Sequence, residues 1–366
     1  MPLNIAVVGC GKIADAHVEE IQKLSTARIA AVCDIEPLMA EQLATRYEIP
    51  QHFSNFEQML ASTPLDVVHI TTPPAFHTRL GMQAMDAGCH VYVEKPLALN
   101  ADEGARLVRH AIHRQRKLAI NYWCNFEPQA LMLRKLVEDG ALGDPVHIES
   151  HLGYTLSGDF GQALLNDGNH WVNRLPGKLF HNTLDHILNK ISPFIPETDV
   201  AIEADGYRRR PATGTVSDNI FDELRVRLRS PNGVSACATF SAHAKPVGHL
   251  LRVYGTRNTV EVDYNLRTVM FAGEQKYPSA LGRLFPPFVQ SWRWFRSAAA
   301  NVGAFRRYEF GYFAGMRELI SRFYISILED TPPPIDYDEI LRVSEWMDRI
   351  FAQVPQGEAQ EVSGRR

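Results

Sequence analysis

Apolar residues fall in short compact blocks in the first third of the chain and in strict alternation further on. Leu3 to Val8, Arg28 to Cys33, Asp66 to Ile70, His90 to Glu94 and Leu118 to Asn121 are runs rich in β-branched residues, the pattern of strands buried on both faces. Between them lie stretches of helical character: from Gly11 to about Leu24, from near Glu36, from Asn55 to Ala61, from Phe76-His77, and from Asn100 to about Arg116. Asn100 and Glu103 have the spacing of a capping box. Repeated strand–helix alternation predicts a doubly wound parallel sheet.

After residue 122 the period changes. Leu224, Val226 and Leu228 alternate with Arg225, Arg227 and Arg229, then Pro231-Asn232-Gly233 turns the chain. Val234, Ala236, Ala238 and Phe240 next alternate with small polar residues. Val146 to Tyr154, Leu250 to Tyr254 and Thr259 to Asp263 add further strands. One polar face at period two predicts a largely antiparallel sheet. Phe126 to Glu138 and Asp336 to Gln353 read as amphipathic helices. The fold class is therefore α/β: residues 1–122 form a dinucleotide-binding (Rossmann) domain, and 123–355 an α+β domain with a large, mostly antiparallel open sheet. Residues 356–366 form a polar tail.

Composition narrows the function. With 366 residues, 45% hydrophobic and 22% charged, the chain is ordinary for two globular domains. A net charge of −4 gives no reason to expect nucleic acid. The five cysteines are scattered without a C-x-x-C, which suits reduced thiols and a cytoplasmic protein. No leader pattern opens the sequence, no run is apolar enough to span a bilayer, and no spacing of ligands suggests a metal.

The chemistry begins at Gly9-Cys10-Gly11-Lys12-Ile13-Ala14, a G-x-G-x-x-A fingerprint between the first strand and helix. Gly9 permits the tight turn, Gly11 the approach of a pyrophosphate, and Ala14 close helix packing. Asp34 follows the second strand, 20 residues past Ala14, where a carboxylate grips ribose hydroxyls and repels a 2′-phosphate. NAD is thus expected in preference to NADP. Thr72-Pro73-Pro74 is a stiff turn ahead of His77. Glu94-Lys95-Pro96 closes a strand at its carboxyl end, the edge where open α/β sheets bind ligands.

In this order and spacing, these motifs resemble the glucose-fructose oxidoreductase / inositol dehydrogenase / rhizopine catabolism (Gfo/Idh/MocA) oxidoreductases. The resemblance implies that Thr72 and Pro73 line the cofactor site, with His77 and Glu94 beside it, and that Lys95 touches both nicotinamide ribose and substrate. It also implies an open second sheet, with helices on one face and subunit contacts on the other, hence a homodimer or homotetramer. The family's Asp-x-x-x-His helix is matched here by His181-x-x-x-Asp185, with the residue types exchanged and His186 one position late. On a single helix Lys178, His181 and Asp185 share a face. His181 is then the expected base and Asp185 its orienting partner, with His186 as the other candidate and His170 a weaker one from the preceding loop.

The expected activity is hydride transfer between NAD and a secondary alcohol or ketone of a sugar, cyclitol or related polyol. A redox-neutral, glycosidase-like use of NAD and a non-catalytic nucleotide or sugar sensor are the rivals. One aromatic and basic stretch, 284–307, fits none of this. It has no acid between Glu274 and Glu309, and reads as a helical insertion, a substrate lid, a subunit contact or an interfacial helix.

Overall fold

The computed structural model describes residues 2–211, 216–271, 281–306, 311 and 313–354. The polar tail lies outside them. The chain divides into two compact units: Met1–Glu127 with Tyr312–Glu345, and Pro128–Gly311 with Trp346–Arg366. The single boundary expected at 122/123 is thus replaced by a discontinuous division, because a late helical segment returns to the first unit.

In the first unit the elements run β1 (Leu3–Val8), α1 (Lys12–Gln22), β2 (Ala27–Cys33), α2 (Pro37–Tyr47), β3 (Gln51–Phe53), α3 (Phe56–Ser62), β4 (Val67–Ile70), α4 (His77–Asp86), β5 (His90–Val93), α5 (Ala101–His113) and β6 (Leu118–Ile120). The six strands form one parallel sheet in the order β3-β2-β1-β4-β5-β6. Only the short β3 was not expected. Asn55 and Asn100 cap α3 and α5, accepting from the N–H of Gln58 and Glu103.

Register fixes where the chemistry sits. Cys33 pairs with Val8, Val8 with Ile70, Ile70 with Val93 and Val93 with Ile120. One line across the sheet therefore ends five strands together, and the next residues are Asp34, Gly9, Thr71, Glu94 and Asn121. The strand order reverses between β1 and β4, which opens a crevice at that edge.

The second unit holds α6 (Pro128–Glu138), β7 (Pro145–Gly153), α7 (Asp159–Asn166), α8 (Lys178–Thr183), α9 (Asp185–Ile191), β8 (Ala201–Tyr207), β9 (Glu223–Arg229), β10 (Ser235–Ser241), β11 (His249–Gly255), β12 (Thr259–Asp263), β13 (Thr268–Phe271) and α10 (Leu281–Arg306). Its seven-stranded sheet has the order β13-β12-β11-β7-β10-β9-β8 and is antiparallel except between β7 and β10. The alternation read on β9 and β10 appears as Leu224, Val226, Leu228, Ala236, Ala238 and Phe240 buried, with α9 packed against β7 and β10. The other face is polar and ion-paired: Arg225 with Glu223, Arg227 with Glu203, Arg252 with Glu261. The strands β8 and β13 had no clear signal in the sequence.

The chain ends in α11 (Ala314–Leu328), which packs on α1 and on the Trp123–Phe126 turn within the first unit, and in α12 (Tyr337–Phe351). Among the described residues no helix is long and apolar enough to cross a membrane.

Candidate functional site

The first sheet edge carries an open cavity of about 490 Å³, lined by Gly9, Gly11, Asp34, Ile35, Thr71, Thr72, Pro73 and Phe76 among others. Gly9 sits at φ +95, and a Cβ there would lie 2.8 Å from the backbone N of Thr72, so only glycine fits. A Cβ on Gly11 would meet nothing within 4 Å. The turn between β1 and α1 thus stands clear on the side where a pyrophosphate approaches a helix N-terminus. Thr71 Oγ1 braces it, 2.6 Å from the carbonyl oxygen of Gly9.

The Asp34 carboxylate is held from two sides. Cys10 N–H donates to Oδ2 at 2.6 Å and Glu36 N–H to Oδ1 at 2.9 Å, leaving each oxygen further acceptor capacity toward the cavity it lines. Burial, ahead of the nearby Asp34 charge, pushes the Cys10 thiol up to about 12, so it stays a thiol. Thr72 Oγ1 is buried without a hydrogen-bond partner among the described residues. A free glycine cradle, a pre-oriented acid and this waiting hydroxyl fit a dinucleotide. In such a site Gly9, Gly11 and Asp34 would hold it, with Thr72 and Pro73 alongside.

Other expected cofactor residues take different places. Ala14 is buried under the turn, as close packing requires. Lys12 is exposed and Ile13 half-buried at the start of α1, and neither lines the cavity. His77 is fully buried, its Nε2 2.7 Å from the carbonyl oxygen of Thr72 and its Nδ1 3.0 Å from that of Pro96. It clips the Thr-Pro-Pro turn to the Glu-Lys-Pro turn from beneath. Burial holds its pKa below the ordinary value against those carbonyls and the Glu94 charge.

Glu94 is likewise a support. Its Oε1 accepts from His17 Nε2 at 2.8 Å and from Asn121 Nδ2 at 2.5 Å, and its Oε2 from the Lys95 N–H at 3.1 Å. Burial would raise this carboxyl, but the hydrogen bond from His17, with the Lys95 charge and the Asn121 hydrogen bond, brings it below the ordinary range. Behind it, His17 Nδ1 meets His69 Nδ1 at 2.9 Å, and His69 Nε2 meets the Tyr324 hydroxyl at 2.8 Å. Tyr92 Oη donates to Asn121 Oδ1 at 2.7 Å. An ionised Glu94 orders the chain of donors: Tyr324 to His69, His69 to His17, His17 to Glu94. Lys95, half-buried, leaves this braced carboxylate at the end of β5. Of these supports, only Glu94 was singled out from the sequence. His17, His69, Asn121 and Tyr324 carry no local signal, since they meet only through the fold.

In the second unit the expected single helix is two, α8 and α9, meeting at Leu184. His181 is buried and stacks on Phe351 with ring centroids 5.2 Å apart. Asp185 is fully buried in the first turn of α9. Lys178 Nζ donates to the Asn219 carbonyl oxygen at 2.9 Å, and burial lowers its pKa. The accessible pair is instead Asn182 and His186, both half-exposed and four residues apart. Asn182 was not singled out, because periodicity groups residues by face but does not say which face is covered. His170 stacks with Trp171 and lies edge-on to Phe160. Among the described residues no cluster of histidine, cysteine or acids could hold a metal.

Residues 3–122 match the family described as "Oxidoreductase family, NAD-binding Rossmann fold", and residues 130–261 match the "GFO/IDH/MocA C-terminal domain". The chain belongs to the Gfo/Idh/MocA family. Its first unit is therefore an NAD-binding Rossmann domain. Among curated relatives, the D-glucoside 3-dehydrogenase of Escherichia coli (strain K12) is 31% identical over 144 residues, 39% of this chain and 41% of that protein. The inositol 2-dehydrogenase/D-chiro-inositol 3-dehydrogenase of Shouchella clausii (strain KSM-K16) is 27% identical over 184 residues, 47% of this chain and 53% of that one. The chain spans only about half, or less, of the length of these relatives. Solved structures extend the likeness of fold. An NAD binding oxidoreductase from Klebsiella pneumoniae matches with a TM-score of 0.77 over 96% of each chain at 20% identity. An oxidoreductase from Agrobacterium radiobacter, solved with NAD+, L-tartaric acid and magnesium, matches with a TM-score of 0.76 over 96% of each chain at 16% identity.

Proposed function

We propose that this member of the Gfo/Idh/MocA family is an NAD-dependent dehydrogenase that acts on a secondary alcohol or ketone of a sugar, cyclitol or related polyol. The observation that carries the proposal is the single sheet edge on which Asp34, the open Gly9–Gly11 turn and the Glu94-braced Lys95 stand together. The glucoside and inositol dehydrogenases among the relatives support the substrate class.

Bound NAD supplies the hydride acceptor. Asp34 accepts the adenosine ribose hydroxyls, and its charge disfavours a 2′-phosphate, so NAD is used over NADP. The Lys95 ammonium donates a hydrogen bond to the reacting oxygen and stabilises negative charge developing there. Lys95 has the rigidity this needs because His17, Asn121 and its own N–H pin Glu94. A histidine of the α8–α9 segment takes the hydroxyl proton. His186 is favoured over His181, since a base must reach its substrate and His181 is stacked inside the unit. Asp185 then acts from within, at the start of the helix that carries His186. A cytoplasmic homodimer or homotetramer, associating through the open face of the second sheet, completes the proposal.

Turnover of inositols, glucosides and related polyols with NAD, followed as NADH absorbance, tests the roles. Lys95→Met and His186→Gln should each lose on the order of 100-fold or more in kcat with NADH affinity retained. If His186→Gln keeps full turnover while His181→Gln loses it, the proton belongs to His181. If the wild-type chain turns over no polyol in either direction, the substrate class is wrong.

A further inference from the structure

The helix α10 is turned inside out. At 100° per residue, Leu284, Phe288, Trp292, Phe295, Ala299 and Val302 fall in one stripe roughly 80° wide. Gln290, Arg293, Ser297 and Asn301 lie diametrically opposite. In a helix covering its own domain the apolar stripe faces inward, but here the polar side does. Gln290 Nε2 and an Arg293 guanidinium nitrogen donate to the Phe271 carbonyl oxygen at 2.6 and 2.8 Å, and Asn301 Nδ2 donates to that of Leu266 at 2.8 Å. The Arg293 guanidinium also lies 5.7 Å from the centre of the Phe271 ring. The stripe is left facing away from β13. Phe288 is 69% exposed, Phe295 63%, Trp292 60%, Leu284 55% and Val302 52%.

At 150–250 Å² for a buried aromatic side chain, this stripe offers roughly 500 Å² of contiguous apolar surface. That reaches the upper range for patches on soluble monomers, where patches of such size are often binding sites. Its charge is as one-sided as its polarity. Between Glu274 and Glu309 the chain carries Lys276, Arg283, Arg293, Arg296, Arg306 and Arg307 and no acid. The whole chain is net −4 and this stretch +6, so the remainder is −10. Arg296 flanks the stripe and Arg306 continues it at the helix end, both exposed.

We propose that α10 docks the protein on an anionic lipid bilayer surface, lying in the headgroup plane with Phe288, Trp292 and Phe295 among the upper acyl carbons and Arg296 and Arg306 at lipid phosphates. Trp294 and Phe305 lie off the stripe, but the concentration of Phe288, Trp292 and Phe295 on one side, with arginines beside them, is a composition that binds this interface. The fold supplies the orientation by tying the polar side of the helix to β13. A second copy of the chain is the poorer occupant. Two-fold pairing of the stripe brings a helix that carries only cations against itself. The docking is independent of the proposed reaction.

The full-length protein sedimented with vesicles of phosphatidylcholine, with and without phosphatidylglycerol, tests this. The variant combining Phe288→Ser, Trp292→Ser and Phe295→Ser is run beside it, and a circular dichroism spectrum and cooperative thermal melt matching the wild type confirm that the variant is folded. The wild type should pellet with the anionic vesicles, release as salt rises, and bind neutral vesicles weakly. The variant should bind anionic vesicles about tenfold less or worse. A wild type that stays in solution with anionic vesicles overturns the proposal, as does a folded variant that binds them equally well. Concentration-dependent self-association that the variant abolishes, without vesicle binding, assigns the stripe to a second copy instead.

Discussion

At the residue scale, Asp34 and Gly9 serve the same turn by opposite means, one through charge and the other through lack of a side chain. Asp34→Ser removes the charge while a hydroxyl can still accept a backbone N–H. NADH affinity should fall by about tenfold, the scale of one charge-assisted hydrogen bond, and the preference over NADPH should shrink; parallel titrations measure both. Gly9→Ala should cost at least about 1–3 kcal/mol in chemical denaturation, because its Cβ must displace the Thr72 backbone at a positive φ. Gly9 was legible in the sequence because the backbone there admits only glycine, and Asp34 stood out by its place at the end of the second strand. Lys95 was legible for a related reason: a proline directly after a charged pair must end a strand. His181 was expected as the base from its spacing to Asp185, and nothing in the sequence marks it as buried. Its spacing to Asp185 is the same whether their shared face is open or buried, and only packing on Phe351 decides.

At the scale of elements, the hydrogen bonds behind Lys95 draw His17 from α1, His69 from β4, Tyr92 from β5, Glu94 and Asn121 from just past the ends of β5 and β6, and Tyr324 from α11. His17→Leu removes one of the three donors that hold the buried Glu94 carboxylate. It should cost on the order of 2 kcal/mol of stability or more, and should lower kcat while NADH affinity stays within error. His17→Gln, which can still donate, should restore much of the kcat. A purely structural role would move stability without this rescue. None of this was readable beforehand. His69 and Tyr92 look like ordinary strand core, and Tyr324 lies 255 residues from its partner His69. The strands of both sheets were legible wherever one or both faces are buried, as in β1, β9 and β10. The short β3 and the edge strands β8 and β13 were not, since pairing on one side leaves a weaker apolar pattern.

For the whole molecule, buried imidazoles set the acid limit. Burial, ahead of neighbouring positive groups, holds His69 and His249 well below the ordinary 6.5 and His90 down to about 4. Each folded-state pKa is depressed, so the unfolded chain binds more protons below 6.5. Stability is therefore full above that value and is lost as pH falls toward the folded values, by up to about 1.4 kcal/mol per pH unit for each group. Glu94, also depressed, adds a further loss below its ordinary 4.5. Urea denaturation at descending pH should show the first decline beginning near 6.5, and His69→Phe should make it shallower. The discontinuous division of the chain was not legible either. An amphipathic helix announces that it covers a core without saying which core, and α11 packs on α1.

The central claim is that the edge of the first sheet is an NAD site that works with Lys95. Calorimetric titration of the purified chain with NADH and with NADPH tests it most directly. Saturable NADH binding, at least about tenfold tighter than NADPH and retained in Lys95→Met, is the expected result. Binding of neither nucleotide, or tighter binding of NADPH, would contradict it.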